Sequence, residues 1–184
     1  MELLWPATEM LGSYAAALAA GWSPNTMRPE AADEELAAIG HDPDAFVTSL
    51  VDREAAGPPI PQPDGSVVQR LPGYRKWMWD GDFAGSVNLR WRPGTNELPV
   101  AAHGHIGYSV VPWKRRLGYA TRAVALILVD AAAEGLTEVE LTTDEVNIGS
   151  QQVIERNGGV LVDHFTKPGT GGPVRSLRYR IPLP

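Results

Sequence analysis

The sequence predicts an α/β chain in which a mixed β-sheet carries helices on its faces. Helical spacing dominates the first third, and short runs rich in aromatic and β-branched residues take over near Tyr74. The second half then alternates strand, long helix, strand, helix and a final strand pair. Such alternation buries its apolar surfaces by stacking helices on a sheet.

Taken in order, Met1–Met10 contains Trp5-Pro6 and fits either an edge strand or a disordered end. Ser13–Ala20 is an alanine-rich run closed by Gly21, which suits a helix C-terminus. Pro29 precedes a cluster of acids from Glu30 to Glu35, the arrangement a helix dipole favours in a first turn. Leu36 and Ile39 form its apolar side, and Gly40 is expected to end it. Asp42-Pro43 opens a third helix carrying Phe46, Val47, Leu50 and Val51. The Gly57–Pro72 stretch is turn-rich and fits an ordered lid or a plain loop.

Tyr74–Trp79 and Phe83–Leu89 are two strands joined by Asp80-Gly81-Asp82, a hairpin signal because Asp-Gly supplies positive φ. His105–Val111 reads as a strand stopped by Pro112, and a helix follows from about Gly118 to Glu134. Val124, Leu126, Ile127, Leu128 and Val129 are its expected buried residues. Val139–Thr143 is a strand, and Ile148–Arg156 a helix stopped by Asn157-Gly158-Gly159. Val160–Phe165 and Leu177–Ile181 are the last strands, around the glycine-rich loop Gly169–Gly172.

Composition narrows the function classes. At 184 residues, with 43% hydrophobic and 21% charged, the chain fits one soluble domain over 1–184. Its helical part covers about 8–56 and its core sheet 74–184. No apolar run reaches the roughly 18 to 20 residues of a membrane span, and no basic leader precedes an apolar run at Met1. The expectation is therefore a cytoplasmic protein with no membrane partner. The absence of cysteine excludes disulfides, thiolate zinc sites and a cysteine nucleophile, and no metal site is expected. The net charge of −6, from 16 basic and 22 acidic residues, argues against nucleic acid as a partner. A closed homodimer is the general prior for soluble oligomers.

The most informative segment is Val110-Val111-Pro112-Trp113-Lys114-Arg115-Arg116-Leu117-Gly118-Tyr119-Ala120-Thr121. A strand ends, a basic turn follows, and a glycine stands where a long helix begins. The first N–H groups of a helix lack internal partners and form an anion site with the positive end of the dipole. Gly118 lets a phosphate approach the backbone, and Lys114, Arg115, Arg116 and Arg122 add charge. A solvated basic turn capped by glycine fits these residues equally well. The spacing is neither a Walker loop nor the dinucleotide fingerprint.

Arg115-Arg116-Leu117-Gly118-Tyr119-Ala120 resembles the acetyl-CoA pattern of the GNAT N-acetyltransferase superfamily, Gln/Arg-x-x-Gly-x-Gly/Ala. A second segment, Asn147-Ile148-Gly149-Ser150 followed by Val153-Ile154-Glu155-Arg156-Asn157-Gly158-Gly159, is similar to that superfamily's Asn-x-x-Ser/Ala, apolar pair, Glu-Lys/Arg and glycine pair. The resemblance implies a mostly antiparallel central sheet with helices on both faces and a splayed pair of central strands. It implies acetyl-CoA as cosubstrate, an amine as acceptor, and no metal. By position it assigns cofactor contacts to Tyr108, Ser109, Val110, Val111, Arg115, Arg116, Leu117, Gly118, Tyr119, Ala120, Thr121, Asn147 and Ser150. Asn147 also fits a plain N-cap.

Acetyl transfer to an amine needs a neutral nucleophile, although alkylamines have pKa values near 10. Many relatives place a tyrosine acid just before Glu-Lys/Arg, where this chain has Ile154. Candidates for proton transfer are His103 and His105, which titrate near neutrality, and Tyr108. Alternation puts both histidines on one side of the expected strand. Trp77 and Trp79 share a strand face and fit core packing or an aromatic wall for a cationic amine. Another acyl-CoA, an oxygen acceptor, or a CoA-binding regulatory module without turnover are the alternatives.

Overall fold

The computed structural model describes residues 1–25, 28–61, 67–99, 102–168 and 172–184. Parts of two predicted loops, 62–66 and 169–171, therefore lie outside the described residues. In chain order the elements are β1 (Glu2–Leu4), α1 (Leu11–Ala19), α2 (Ala31–His41), α3 (Pro43–Ser49), β2 (Val51–Asp52), β3 (Ile60–Pro61), β4 (Val67–Val68), β5 (Gly73–Trp79), β6 (Phe83–Arg90), β7 (Ile106–Val110), α4 (Tyr119–Ala133), β8 (Glu138–Asp144), α5 (Ile148–Arg156), β9 (Val160–Lys167) and β10 (Val174–Pro182).

Local chemistry sets most of these bounds. Asp42 caps α3 by accepting the Ala45 N–H at 2.9 Å, with Pro43 at the first helical position. Asn147 caps α5 in the same way, accepting from the Ser150 N–H at 3.1 Å. Gly40, expected to end α2, lies inside it, and the helix stops one residue later. The first residues form an edge strand, with Leu3 opposite Met78 of β5.

The strands form two main sheets. In the first the order is β1-β5-β6-β7, with β2 also on β5; in the second it is β8-β10-β9. Every pairing among these strands is antiparallel. The sheets touch where Gly104 bridges Leu141 and the His105 N–H donates to the Glu140 carbonyl at 2.7 Å. Gly104 has φ +90°, and a Cβ there would stand 2.8 Å from the Glu140 oxygen. Glycine is thus what allows the two strands to meet. Beyond this point β7 and β8 pair no further and diverge, which is the expected splay.

Helices cover both faces. Tyr74, Met78, Val87 and Leu89 pack with Ala123, Ile127 and Ala131 of α4, in a core continued by Leu141, Ile154, Leu177 and Tyr179. On the other face Trp77 and Phe83 pack with Leu11, Tyr14, Leu18, Trp22 and Phe46. Trp77 is fully buried and stacks on Tyr14 at 4.6 Å, so it is core and no wall for a bound cation. The expected burial of α4 needs correction. Val124 and Ile127 are buried, whereas Leu126 is 38% and Val129 69% exposed. One helix face meets the sheet, and five of six consecutive residues cannot share it.

Candidate active site

The turn after β7 is built from backbone. Val111 is followed by a single 3-10 turn, Pro112–Lys114, then extended Arg115. Arg116 has φ +65° and Gly118 φ +78°, the left-handed conformation that glycine adopts without strain. A Cβ on Gly118 would meet nothing within 4 Å, so open space lies above it. The first internal bond of the helix region runs from the Arg122 N–H to the Gly118 carbonyl, at 3.1 Å. No side chain caps α4, and no protein acceptor among the described residues takes the N–H groups of Tyr119, Ala120 and Thr121. Three aligned donors at the positive end of a 15-residue helix make an anion cradle.

The cradle opens into a cleft of about 440 Å³ between β7, the turn and α5. Of the predicted cofactor contacts, Tyr108, Ser109, Val110, Arg115, Arg116, Gly118, Tyr119, Ala120, Thr121, Asn147 and Ser150 line it. Val111 and Leu117 do not. Val111 is fully buried beneath the N-terminal helices, its N–H given to Ala84 at 3.0 Å, while Leu117 is 60% exposed. Lys114, Gly149, Gln152, Val153 and Arg156 complete the lining. The basic residue of the Glu155-Arg156 pair was the available signal for Arg156. Ile154, at the position where relatives carry a tyrosine, is 1% exposed and belongs to the core; Val153 is the residue that lines the cleft.

Charge around the turn is only partly paired. Lys114 Nζ contacts Asp80 Oδ1 at 2.6 Å, and the Tyr119 hydroxyl donates to Asp80 Oδ2 at 2.6 Å. Those two bonds hold the Asp80 carboxyl below the ordinary carboxylate range. Arg115 Nε donates to the Val110 carbonyl at 3.2 Å. Arg116 and Arg156 have no carboxylate partner among the described residues. Asn157, which the sequence explains as a helix stop, also joins the walls. Its side-chain amide donates to Val153 at 2.8 Å and to the Thr121 carbonyl of α4 at 3.2 Å.

The β7 strand supplies the floor. Because the Val111 N–H turns toward β6, the main-chain groups of Tyr108 and Val110 turn toward the splay. Ser109 faces the other way, and its Oγ accepts the Trp22 indole N–H at 2.9 Å, tying the N-terminal helices to the strand. The Tyr108 hydroxyl donates to the Ser150 carbonyl at 3.4 Å, and burial raises its pKa.

The two histidines stand before β7, at the end opposite the turn. His105 is 1% exposed, and its Nδ1 accepts the Glu140 N–H at 2.9 Å. Burial lowers its pKa, and its Nε2 has no partner of hydrogen-bonding geometry. His103 lines a second cavity, about 210 Å³, with Glu140, Thr142, Lys167 and Arg178. Neither histidine lines the cleft. Their expected shared strand face does not exist, since β7 begins at Ile106 and Gly104 breaks the alternation.

A family model described as an acetyltransferase (GNAT) domain matches residues 22–160. Similar solved structures include the microcin C7 self-immunity acetyltransferase MccE in complex with acetyl-CoA and AMP. It is 12% identical, with 98% of this chain and 91% of that chain covered and a TM-score of 0.65. RimL, a ribosomal L7/L12 alpha-N-protein acetyltransferase in complex with coenzyme A, is 11% identical over 98% and 93% of the two chains, with a TM-score of 0.66. Mycobacterium smegmatis RimJ in complex with CoA-disulfide is 16% identical over 98% and 80%, with a TM-score of 0.59. At such identities the likeness is one of fold. No curated protein matches the chain in sequence.

Proposed function

Because the chain belongs to the GNAT acetyltransferase family, we propose that it moves an acetyl group from acetyl-CoA directly to an amine of a small molecule or peptide. The observation that carries this reading is the row of N–H groups at the start of α4 that no described residue accepts, opening on a cleft floored by β7 and walled by α5. The residues present suit coenzyme A. Tyr119, Ala120 and Thr121 offer backbone donors to a diphosphate, Arg116 and Arg156 offer cations that pair with no carboxylate among the described residues, and Gly118 leaves the approach open. When bound, acetyl-CoA supplies an acyl group activated as a thioester.

The rest of the chemistry falls to the chain. Main-chain N–H groups of Tyr108 and Val110 turn toward the splay and can polarise a carbonyl placed there. The Tyr108 phenol, kept protonated by burial, holds a proton for a departing thiolate. His103 has its pKa lowered by burial first, then by Lys167, Arg90 and Arg178. It is therefore neutral near pH 7 and, standing in the second cavity rather than the cleft, serves as a base for an amine that approaches from that side. His105 is committed to Glu140 and supports the β7–β8 contact instead.

The test is amine-dependent release of CoA thiol from acetyl-CoA, with formation of the acetylated amine followed by mass spectrometry. Release that depends on an amine supports the reading. Tight acetyl-CoA binding without turnover across primary amines, peptides and amino sugars would point to a binding module.

A further inference from the structure

The second cavity lies on the face of the β8–β10–β9 sheet turned away from α4 and α5. Val139, Leu141 and Thr143 point into the core, so Glu140 and Thr142 point to the opposite side. Register places Ser176, Arg178 and Arg180 of β10 on that same side, opposite Asp144, Thr142 and Glu140. His103, Phe165 and Lys167 form the remaining walls that matter here.

The cations around this cavity are not all satisfied. Arg90 is spent on backbone, its guanidinium donating to Gly104 at 2.7 Å and His103 at 3.5 Å. Arg180 pairs with Glu140 at 3.3 Å and Glu138 at 3.7 Å. Lys167, its side chain 9% exposed, pairs with Asp144 at 2.8 Å. Arg178 has no carboxylate partner among the described residues. Its guanidinium lies 5.0 Å from the Phe165 ring, and its Nε is buried without a hydrogen-bond acceptor. Asp163 stands across from it in register but is exposed and does not pair with it. Arg178 lines the cavity beside Lys167, and a guanidinium without a carboxylate partner among the described residues is a site for an anion.

His103 closes the other side. Thr142 Oγ1 donates to its carbonyl at 3.1 Å, so its backbone is held by both Thr142 and Arg90. Burial first, and then the neighbouring cations, lower the imidazole pKa and favour its neutral form, so it does not compete as a third positive charge.

We propose that this cavity receives a carboxylate or phosphate carried by the amine acceptor, with Arg178 as its main partner and Lys167 as the second. A planar guanidinium fork matches either group through two parallel N–H donors. The acceptor class is then an amine bearing an anion: an amino acid, an acidic peptide or an aminoalkyl phosphate. This deepens the transferase reading and rests on it for the amine, whereas the anion site can be tested alone.

The first readout is binding. The Cε1–H resonances of the four histidines are followed while inorganic phosphate and acetate are titrated separately, with and without excess coenzyme A to mask the α4 cradle. His103 is identified by His103→Gln. A saturable shift of the His103 signal is expected with at least one anion, weakened at least about tenfold in Arg178→Gln and partly restored in Arg178→Lys. Response to phosphate alone indicates a phosphorylated acceptor, and response to acetate alone a carboxylate. The second readout is turnover with glycine, γ-aminobutyrate and phosphoethanolamine against glycinamide, γ-aminobutyramide and ethanolamine. Anionic members should lead by at least about tenfold in kcat/KM, an advantage lost in Arg178→Gln through KM. No saturable response of His103 to either anion, or one that survives Arg178→Gln in a folded protein, overturns the proposal. Anion binding at His103 with no amine acetylated would keep the site and refute the transferase reading.

Discussion

Replacing Arg75 with methionine tests how the N-terminal helices are fastened to the sheet. Arg75 projects from β5 on the face covered by α1 and α2. Its Nη1 donates to Glu35 at 2.9 and 3.1 Å and to the Tyr14 hydroxyl at 2.9 Å, while Nε donates to Asn88 at 3.0 Å. Tyr14 in turn donates to Glu35, and burial, followed by the charge of Glu35, raises the tyrosine pKa. The Arg75 and Glu35 side chains are each 17% exposed, so water offers little compensation when one is removed. Breaking such a pair from one side costs about 3–5 kcal/mol, and the residual exposure places this case near 3. With a urea slope of roughly 2–3 kcal/mol/M, the unfolding midpoint should fall by about 1–1.5 M. Removing both partners, as in Arg75→Met with Glu35→Leu, should recover most of that loss, because no uncompensated charge stays buried. Urea unfolding followed by tryptophan fluorescence reads both variants. A single-variant cost below about 1 kcal/mol, or a double-variant cost equal to the sum of the singles, would refute a coupled buried pair.

Two further outcomes are expected. Asn157→Ala removes the bonds to Val153 and Thr121, so it should cost about 1–2 kcal/mol in thermal unfolding. It should also weaken acetyl-CoA several-fold in calorimetry, and an unchanged affinity would show that the α4–α5 link does not shape the cleft. The second concerns pH. The base role proposed for His103 requires its neutral form, and its pKa lies below the ordinary 6.5, so kcat/KM should fall as pH drops through a midpoint under that value. A midpoint at or above 6.5, or an acidic limb that persists in His103→Gln, would remove His103 from the role.

Much of this was readable locally. The bounds of α5 follow from the Asn147 cap and the Asn157-Gly158-Gly159 stop, both short-range features. The turn at Gly118 is legible because the role proposed for it needs only backbone conformation and the start of a helix. What the sequence conceals depends on partners far along the chain. That Leu126 and Val129 of α4 are exposed follows from where the sheet lies, which periodicity in a continuous apolar run does not fix. The separation of His103 from His105 follows from the positive φ of Gly104, imposed by the Glu140 backbone. Val111 is a strand neighbour of cleft residues, yet it is buried under helices contributed by the first fifty residues. The Arg178 cavity gathers side chains from four separate segments, and no spacing in the sequence announces it.

The central claim is that the start of α4 holds the diphosphate of acetyl-CoA, and calorimetric titration of the wild type and Gly118→Val tests it most directly. Valine at φ +78° strains the turn by roughly 1–2 kcal/mol, but its Cβ meets no neighbour within 4 Å, so the variant should stay folded. The wild type should bind acetyl-CoA with a dissociation constant of about micromolar, and the variant at least about 100-fold more weakly. Equal binding by a folded Gly118→Val protein, or no binding by the wild type, would contradict the account.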